Sequence, residues 1–343
     1  MLKSLDNKVE EIFRDSKIAS LAVALTDGNQ TLYSRGFGYN DIDTRQIKTN
    51  ADTEFKIASV TKIVTGLVAM RLVDDGRLRL DEAVEKYLPD LKLRNENEKR
   101  ITPRHLLSHS AGFPTEYTPD GPSDESLLKQ SIYEELTKVE PIYEVGCGYK
   151  YSNWGIRLLS YIMERITSEP YSKLAYDYVI NPLRMTKTTF CKNEALSHPF
   201  ALPHETDEEG ILHSSLYIPT NSARLATGGL FSTANDLTKL ARLLIRSGLS
   251  DTGERILSEN RLSEMLKSHV ECNTDDGSEY GLTMMLLKHN NKILYGHIGS
   301  APPYSSSLFI DRERGIGVIM LTNTKCEGLS KVLPKALLDL YQN

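Results

Sequence analysis

The sequence of this 343-residue chain predicts an α/β (α+β) fold. We expect an antiparallel sheet built from both chain ends, flanked by N- and C-terminal helices, with a large helical region inserted into it. Short strand-like segments occur near both ends of the chain, whereas helical apolar spacing dominates from about residue 80 to residue 266. The predicted sheet domain comprises residues 1–78 and 277–343, and the mainly helical domain comprises residues 79–276. A functional site is expected at their interface.

The first elements follow from residue spacing. A helix is predicted by four apolar residues at helical spacing, Leu5, Val9, Ile12 and Phe13. Residues 18–26 and 31–39 predict two strands around a turn at Asp27-Gly28-Asn29, which is a hairpin signal. A second helix, ending near Gly76, is predicted by apolar residues that would share one face, Ile63, Val64, Leu67, Val68, Leu72 and Val73.

The later elements complete the pattern. The segment 232–236 predicts a helix N-cap. Loops are predicted at 115–123 and 194–216, and a closing helix at 332–341. Four short segments between them predict strands, namely 280–288, 292–297, 305–311 and 315–323.

Composition excludes several classes of function. The net charge is −5 and no basic block is present, which argues against a nucleic-acid partner and an anionic membrane surface. No stretch is long and apolar enough for a membrane anchor, and the first residues lack a signal-peptide pattern, so we expect a cytoplasmic protein unless a leader was removed. The four cysteines are far apart, which favours reduced thiols. Nothing in the sequence predicts an oligomeric state.

Ser59-Val60-Thr61-Lys62 is the strongest chemical signal. Residues three apart share a face of a helix, so the Ser59 hydroxyl and the Lys62 amine would point the same way. A serine hydroxyl is a weak nucleophile and needs a base, which can be a lysine whose pKa is lowered by burial. The Ser-x-x-Lys pattern recurs at Ser126, but in a polar stretch, so we expect the nucleophile to be Ser59.

Two further elements could complete such a site. Tyr151 and Asn153 precede a helical run and offer a phenol as proton carrier and an amide, although a core tyrosine is the structural alternative. Gly296-His297-Ile298-Gly299-Ser300 ends a predicted strand, where glycine permits close backbone approach and an N–H could bind an oxyanion. A hydrogen-bonded core histidine is the structural alternative for His297.

In this order, the three elements resemble the serine β-lactamase and penicillin-recognising family, best its class C-like branch, which also holds esterases, D-amino-acid peptidases and amidases. The similarity covers most of the chain. Further segments carry it, namely 36–39, 55–59, 74–81, 101–112 (Ile-Thr-Pro-Arg-His-Leu-Leu-Ser-His-Ser-Ala-Gly) and 228–237. The resemblance implies a β-lactamase/transpeptidase-like fold and a hydrolase of small esters, amides or peptides that uses no cofactor.

The resemblance also implies roles for the polar residues. Ser59 would form an acyl-enzyme, and Lys62 would accept its proton or keep Tyr151 ionised. Tyr151 would act as general base and protonate the leaving group. Asn153 would hydrogen-bond Lys62 and the acyl side of the substrate.

The strand motif departs from the pattern of many relatives. His297 stands where they carry the lysine of Lys-Thr-Gly, and as a cation or donor it would tune the tyrosine. Beside Gly299, the N–H of Ser300 would form the oxyanion hole with that of Ser59. Ile298 replaces a threonine that helps hold a substrate carboxylate, which favours an esterase or peptidase. A β-lactamase or D-Ala-D-Ala carboxypeptidase is the first alternative, and a non-catalytic penicillin-binding or sensing module is the second.

Other site types are weaker. His105 and His109 are four apart on a predicted helix and could face a metal, but the glutamate of His-Glu-x-x-His is missing, so no metal is expected. Gly36-Phe37-Gly38 does not continue into a dinucleotide-binding pattern. Gly-x-Ser-x-Gly is absent, which argues against an ordinary α/β-hydrolase.

Overall fold

The computed structural model describes residues 2–115, 126–218, 220–326 and 328–341. These residues form twelve strands, eight of them in one large antiparallel sheet at the centre of the fold. The predicted loop at 115–123 therefore lies almost entirely outside the described residues. The strands are β1 (Ser20–Asp27), β2 (Thr31–Gly38), β3 (Phe55–Lys56), β4 (His204–Thr206), β5 (Leu212–Ser214), β6 (Phe231–Ser232), β7 (Val270–Glu271), β8 (Glu279–Tyr280), β9 (Met285–His289), β10 (Lys292–Ala301), β11 (Tyr304–Asp311) and β12 (Ile316–Thr322).

Helices surround this sheet and fill the middle of the chain. They are α1 (Leu2–Ser16), α2 (Thr61–Asp74), α3 (Pro103–Leu107), α4 (Ser126–Gln130), α5 (Asn153–Thr167), α6 (Tyr171–Ala175), α7 (Lys192–Ala195), α8 (Leu225–Gly228), α9 (Ala234–Ile245), α10 (Glu259–Leu266) and α11 (Leu329–Leu340). Single 3₁₀ or π turns occur at Ala58–Val60, Val84–Lys86, Arg94–Lys99, Ser131–Glu135, Leu136–Lys138, Tyr176–Ile180 and Ser222–Arg224. None of the helices in the described residues is long and apolar enough to cross a bilayer.

The large sheet has the order β2-β1-β12-β11-β10-β9-β8-β7, and every pair in it is antiparallel. Strand β1, from the start of the chain, pairs with β12, from its end, in the register Leu21↔Thr322 to Asp27↔Ile316. The predicted sheet from both chain ends, with an inserted helical region, is therefore confirmed. The domain boundaries at residues 78 and 277 stay a prediction, and β7 joins the sheet from before the second boundary.

The two faces of the sheet carry separate apolar layers. On β1, Leu21 and Val23 pack in a cluster with residues of α1 and α11, whereas Ala22 and Ala24 belong to the larger cluster shared with α2 and α9. This alternation follows from the two-residue repeat of a strand. The hairpin β1–β2 and the helices α1 and α11 were expected from the sequence and are confirmed.

Helix α2 differs from its prediction. Its residues from Thr61 to Met70 are all buried, so the helix is enclosed on every side over these ten residues, and only its last turn reaches solvent, at Arg71 and Asp74. It is packed between β10, α5, α8 and α10. Ser59 is not on this helix but on the preceding 3₁₀ turn, Ala58–Val60.

The structure corrects three other sequence predictions. The expected strand 280–288 is two strands, β8 and β9, because Thr283 has φ of +59° and interrupts the extended chain. The predicted loop 194–216 overlaps the end of α7 and contains the small hairpin β4–β5. Strand β10 runs past its predicted end to Ala301, while the N-cap before α9 is confirmed, since Thr233 Oγ1 accepts the Asp236 N–H at 3.0 Å.

Candidate functional site

Ser59 lies on a tightly held turn between β3 and α2. Ala58 has φ of +47°, a left-handed conformation that a residue with a side chain adopts rarely. The Ile57 N–H donates to Leu230 O at 3.0 Å, and Ser306 Oγ donates to Ile57 O at 2.7 Å. The half-buried Ser59 is therefore fixed by contacts from two distant parts of the chain.

Lys62 brings an amine to this hydroxyl. Its side chain is fully buried in the first turn of α2, and Nζ lies 3.2 Å from Ser59 Oγ and donates to Thr227 O at 2.6 Å. The spacing of three residues produces this contact, as the sequence suggested. The carbonyl from α8 orients the amine and could not have been foreseen, because Thr227 is remote in sequence.

Tyr151 approaches the same amine from a third segment. Lys62 Nζ lies 4.9 Å from the centroid of the Tyr151 ring. Thr115 Oγ1 donates to Tyr151 O at 2.7 Å, and the next residue, Ser152, is the N-cap of α5. Half-buried Asn153 is the first residue of that helix. Its expected hydrogen bond to Lys62 stays a prediction.

His297 is buried below this group and is only 1% exposed. Tyr280 OH lies 2.9 Å from Nε2, and Nδ1 lies 2.5 Å from Ile298 O. Burial, together with the charge of Lys62, lowers the pKa of His297 to about 3. A neutral imidazole is not the cation that was one of the two forms implied by the resemblance, so we assign no cationic role to His297. Its role as a donor that tunes Tyr151 stays a prediction.

The free edge of β10 runs against the Ser59 turn. Pairing of β10 with β9 ends at Gly296↔Met285, and among the described strands none pairs with the following residues on that side. A Cβ on Gly299 would lie 2.4 Å from Ile57 O and 3.1 Å from Ser59 N, so only glycine permits this approach. Ser300, the next residue, is exposed. A joint oxyanion hole of the Ser59 and Ser300 N–H groups stays a prediction.

His105 and His109, in the 101–112 segment, are not arranged as a pair of metal ligands. Helix α3 ends at Leu107, and His109 has φ of +57°, so His105 and His109 do not share a helix face. His105 Nδ1 instead lies 3.2 Å from the Thr102 N–H in a capping box. Within the described residues, no group of three or more His, Cys, Asp or Glu is arranged to hold a metal ion.

Two residues that sequence reasoning missed belong to the surroundings of this site. Tyr280 OH lies within hydrogen-bond distance of His297 Nε2, and the His109 ring packs at a tilt against that of Tyr151, with the centroids 4.4 Å apart. Neither stands in a recognisable catalytic pattern, and only the fold brings them here. The second Ser-x-x-Lys match lies on helix α4, where Lys129 is exposed.

Comparisons with known proteins show the family and the fold. The Beta-lactamase family model matches residues 5–341. Esterase EstB from Burkholderia gladioli is 25% identical over 379 residues, covering 98% of this chain and 93% of the esterase. Protein flp from Staphylococcus aureus strain MW2 is 24% identical over 337 residues, covering 96% of this chain, but this chain spans only 65% of its length.

Solved structures give the same relationship. The octameric penicillin-binding protein homologue from Pyrococcus abyssi superposes with a TM-score of 0.84 and 26% identity, covering 98% of this chain and 76% of that chain. The D-amino acid amidase from Ochrobactrum anthropi SV3, complexed with L-phenylalanine amide, has a TM-score of 0.78 and 25% identity, with 98% and 96% of the two chains covered.

Proposed function

This chain belongs to the beta-lactamase family, and on that ground we propose that it is a serine hydrolase that forms an acyl-enzyme on Ser59. One observation carries the proposal. The buried Lys62 amine lies 3.2 Å from the Ser59 hydroxyl and 4.9 Å from the centre of the Tyr151 ring, so nucleophile, amine and phenol meet in one place. An activated nucleophile requires a base in contact with it, and the Lys62 amine is within hydrogen-bond distance of Ser59 Oγ. Tyr151, beside that amine, is the proposed second proton carrier.

The proposed reaction has two halves. Ser59 Oγ attacks the substrate carbonyl carbon, and its proton passes to the pair formed by Tyr151 and Lys62. The bond to the alcohol or amine leaving group then breaks, and the pair returns the proton to that group. Water next attacks the acyl carbon and gives a proton to the same pair. Release of the acid returns that proton to Ser59. The N–H groups of Ser59 and Ser300 are the proposed donors to the oxyanion in both halves.

We propose small esters, amides or peptides as substrates, and rank β-lactams and D-Ala-D-Ala peptides second. The partly buried Ile298 packs against the cluster formed with α1 and α11, so this position offers no hydroxyl to a substrate carboxylate. His297 is neutral and supplies no positive charge for one either. The esterase and the amidase among the similar proteins support this order.

Intact-mass analysis tests the acyl-enzyme. We expect a fluorophosphonate to add once to the wild-type protein and to Ser126→Ala, but not to Ser59→Ala. Ser126→Ala is the control, because Ser126 is the serine of the second Ser-x-x-Lys match. Absence of an adduct on Ser59 with both the fluorophosphonate and penicillin G would refute the proposal.

Turnover then ranks the substrates. p-Nitrophenyl esters and D-amino-acid amides are compared with a chromogenic cephalosporin at equal concentration. We expect the esters or amides to be hydrolysed fastest. A dominant cephalosporin rate would reverse the order, and a stable penicillin adduct without turnover of any compound would indicate a penicillin-binding module instead.

A further inference from the structure

His109 contacts the segment around Tyr151 at three points. Its carbonyl oxygen accepts the Lys150 N–H at 3.0 Å, and its Nδ1 accepts the Ser152 N–H at 3.3 Å. Its ring packs against that of Tyr151, with the centroids 4.4 Å apart and the ring planes tilted by 48°. The residues before and after Tyr151 and the Tyr151 ring itself are therefore all held by one side chain and its backbone.

From these contacts we propose that His109 is a positioning residue that sets the place and angle of the Tyr151 phenol. The inference rests on the proposed function, in which Tyr151 carries protons, and it assigns a part of that site to a residue outside the Ser59, Lys62 and Tyr151 group. His109 does not touch the substrate in this proposal. It acts only through Tyr151.

The surroundings of His109 suit this task. The residue is 3% exposed, and Tyr143 OH donates at 3.2 Å to the same carbonyl oxygen that accepts the Lys150 N–H, which gives the backbone a second attachment. Burial, with Lys62 and His297 nearby, holds the pKa of His109 well below its usual value. The imidazole therefore stays neutral, and Nδ1 keeps the lone pair that accepts the Ser152 N–H.

The backbone conformation of His109 limits which substitutions can be used to test this role. With φ of +57°, residue 109 is in the left-handed region, which asparagine tolerates better than most residues with a side chain. An asparagine side-chain oxygen can also stand near the position of Nδ1. We call the three contacts of His109 with residues 150–152 the His109 clamp. His109→Asn thus keeps an acceptor for the Ser152 N–H but loses the ring, whereas His109→Ala loses both the ring and the acceptor.

Steady-state kinetics of these two variants test the clamp. We expect His109→Ala to lower kcat by about 10- to 100-fold, because a small misplacement of a catalytic group has effects of this size, with KM changed by less than about threefold. His109→Asn should recover part of the lost kcat. The matched control is His105→Ala, which breaks the capping box of α3 and removes none of the three His109 contacts described above.

A spectroscopic measurement makes the test independent of turnover. In protein labelled with ¹³Cζ-tyrosine, the Tyr151 resonance is assigned from its loss in Tyr151→Phe. We expect this resonance to shift in His109→Ala and to stay unchanged in His105→Ala at equal loss of thermal stability. If the Tyr151 resonance of His109→Ala has the wild-type position, the proposed role of His109 is wrong. The same holds if Ser59→Ala abolishes turnover but His109→Ala has the wild-type kcat. If Ser59→Ala retains full turnover, the proposed function fails, and the resonance alone decides on the clamp.

Discussion

The Tyr280 hydroxyl lies 2.9 Å from Nε2 of His297, and both side chains are buried. Burial raises the pKa of Tyr280 well above its usual value, so the phenol is protonated and donates this hydrogen bond. The proton of His297 is therefore on Nδ1, which donates to Ile298 O at 2.5 Å. The bond joins β8 to β10 beneath the Ser59 turn.

Tyr280→Phe removes this donor and leaves a buried nitrogen without a partner. We expect the free energy of unfolding to fall by about 1–3 kcal/mol, the usual cost of such a loss. Urea denaturation measures it. Tyr295→Phe, on the same strand as His297 but partly exposed, is the control and should change stability little. Equal stability of Tyr280→Phe and the wild type would contradict the assignment of the hydrogen bond.

Lys62→Met separates catalysis from stability. We expect kcat to fall by about 10²–10⁴-fold, as when a proton-transfer group is removed. The urea midpoint should stay the same or rise, because a buried amine carries a desolvation cost that a methionine avoids. Lys239→Met on α9 is the control and should keep the wild-type kcat. Retained kcat in Lys62→Met would remove Lys62 from the mechanism.

Gly299→Ala tests the approach of β10 to the nucleophile. The added Cβ would lie 2.2 Å from Ser306 Oγ and 2.4 Å from Ile57 O, so the strand must move away from Ser59. We expect the rate of fluorophosphonate labelling to fall by at least about 10-fold, because oxyanion donors are effective only at the correct distance. The control is Gly148→Ala, where the nearest atom to the added Cβ is at 3.6 Å. Equal labelling rates for Gly299→Ala and the wild type would argue against this geometry.

The histidines beneath the site predict a pH dependence of stability. Between about pH 6.5, the usual pKa of a histidine, and about pH 3, the unfolded chain binds a proton at residue 297 that the folded protein does not. The free energy of unfolding should therefore fall as pH decreases through this window. His297→Gln should show a shallower fall between pH 7 and pH 5 in urea titrations than the exposed control His213→Gln. Parallel curves for the two variants would show that His297 is not buried in its neutral form.

Sequence patterns predicted correctly those contacts whose residues are close together in the chain. The contact between Ser59 and Lys62 follows from a spacing of three residues, and the hairpin β1–β2 follows from its turn. At that turn, Asp27 Oδ1 accepts the Asn29 and Gln30 N–H groups, each at 2.7 Å. Both contacts are made within a few residues, so the sequence contains all that they require.

Long-range packing explains what the sequence did not reveal. A Cβ on Gly66 of α2 would lie 2.0 Å from Thr283 Oγ1, so the helix packs directly on the bend that divides β8 from β9. No local pattern at residues 280–288 indicates that contact. The clamp of His109 on Tyr151 and the bond between Tyr280 and His297 likewise join segments that are remote along the chain or on different strands.

The enclosure of the first ten residues of α2 has a consequence for the timing of the proposed reaction. The Lys62 amine is 0% exposed, so bulk water does not reach it directly. Proton exchange of this amine with solvent therefore requires a relay, and the Ser59 hydroxyl, 3.2 Å away, is one group that can provide it. In the proposed mechanism, a proton taken up during attack on the substrate would be retained near Lys62 until the departing group or the incoming water carries it out.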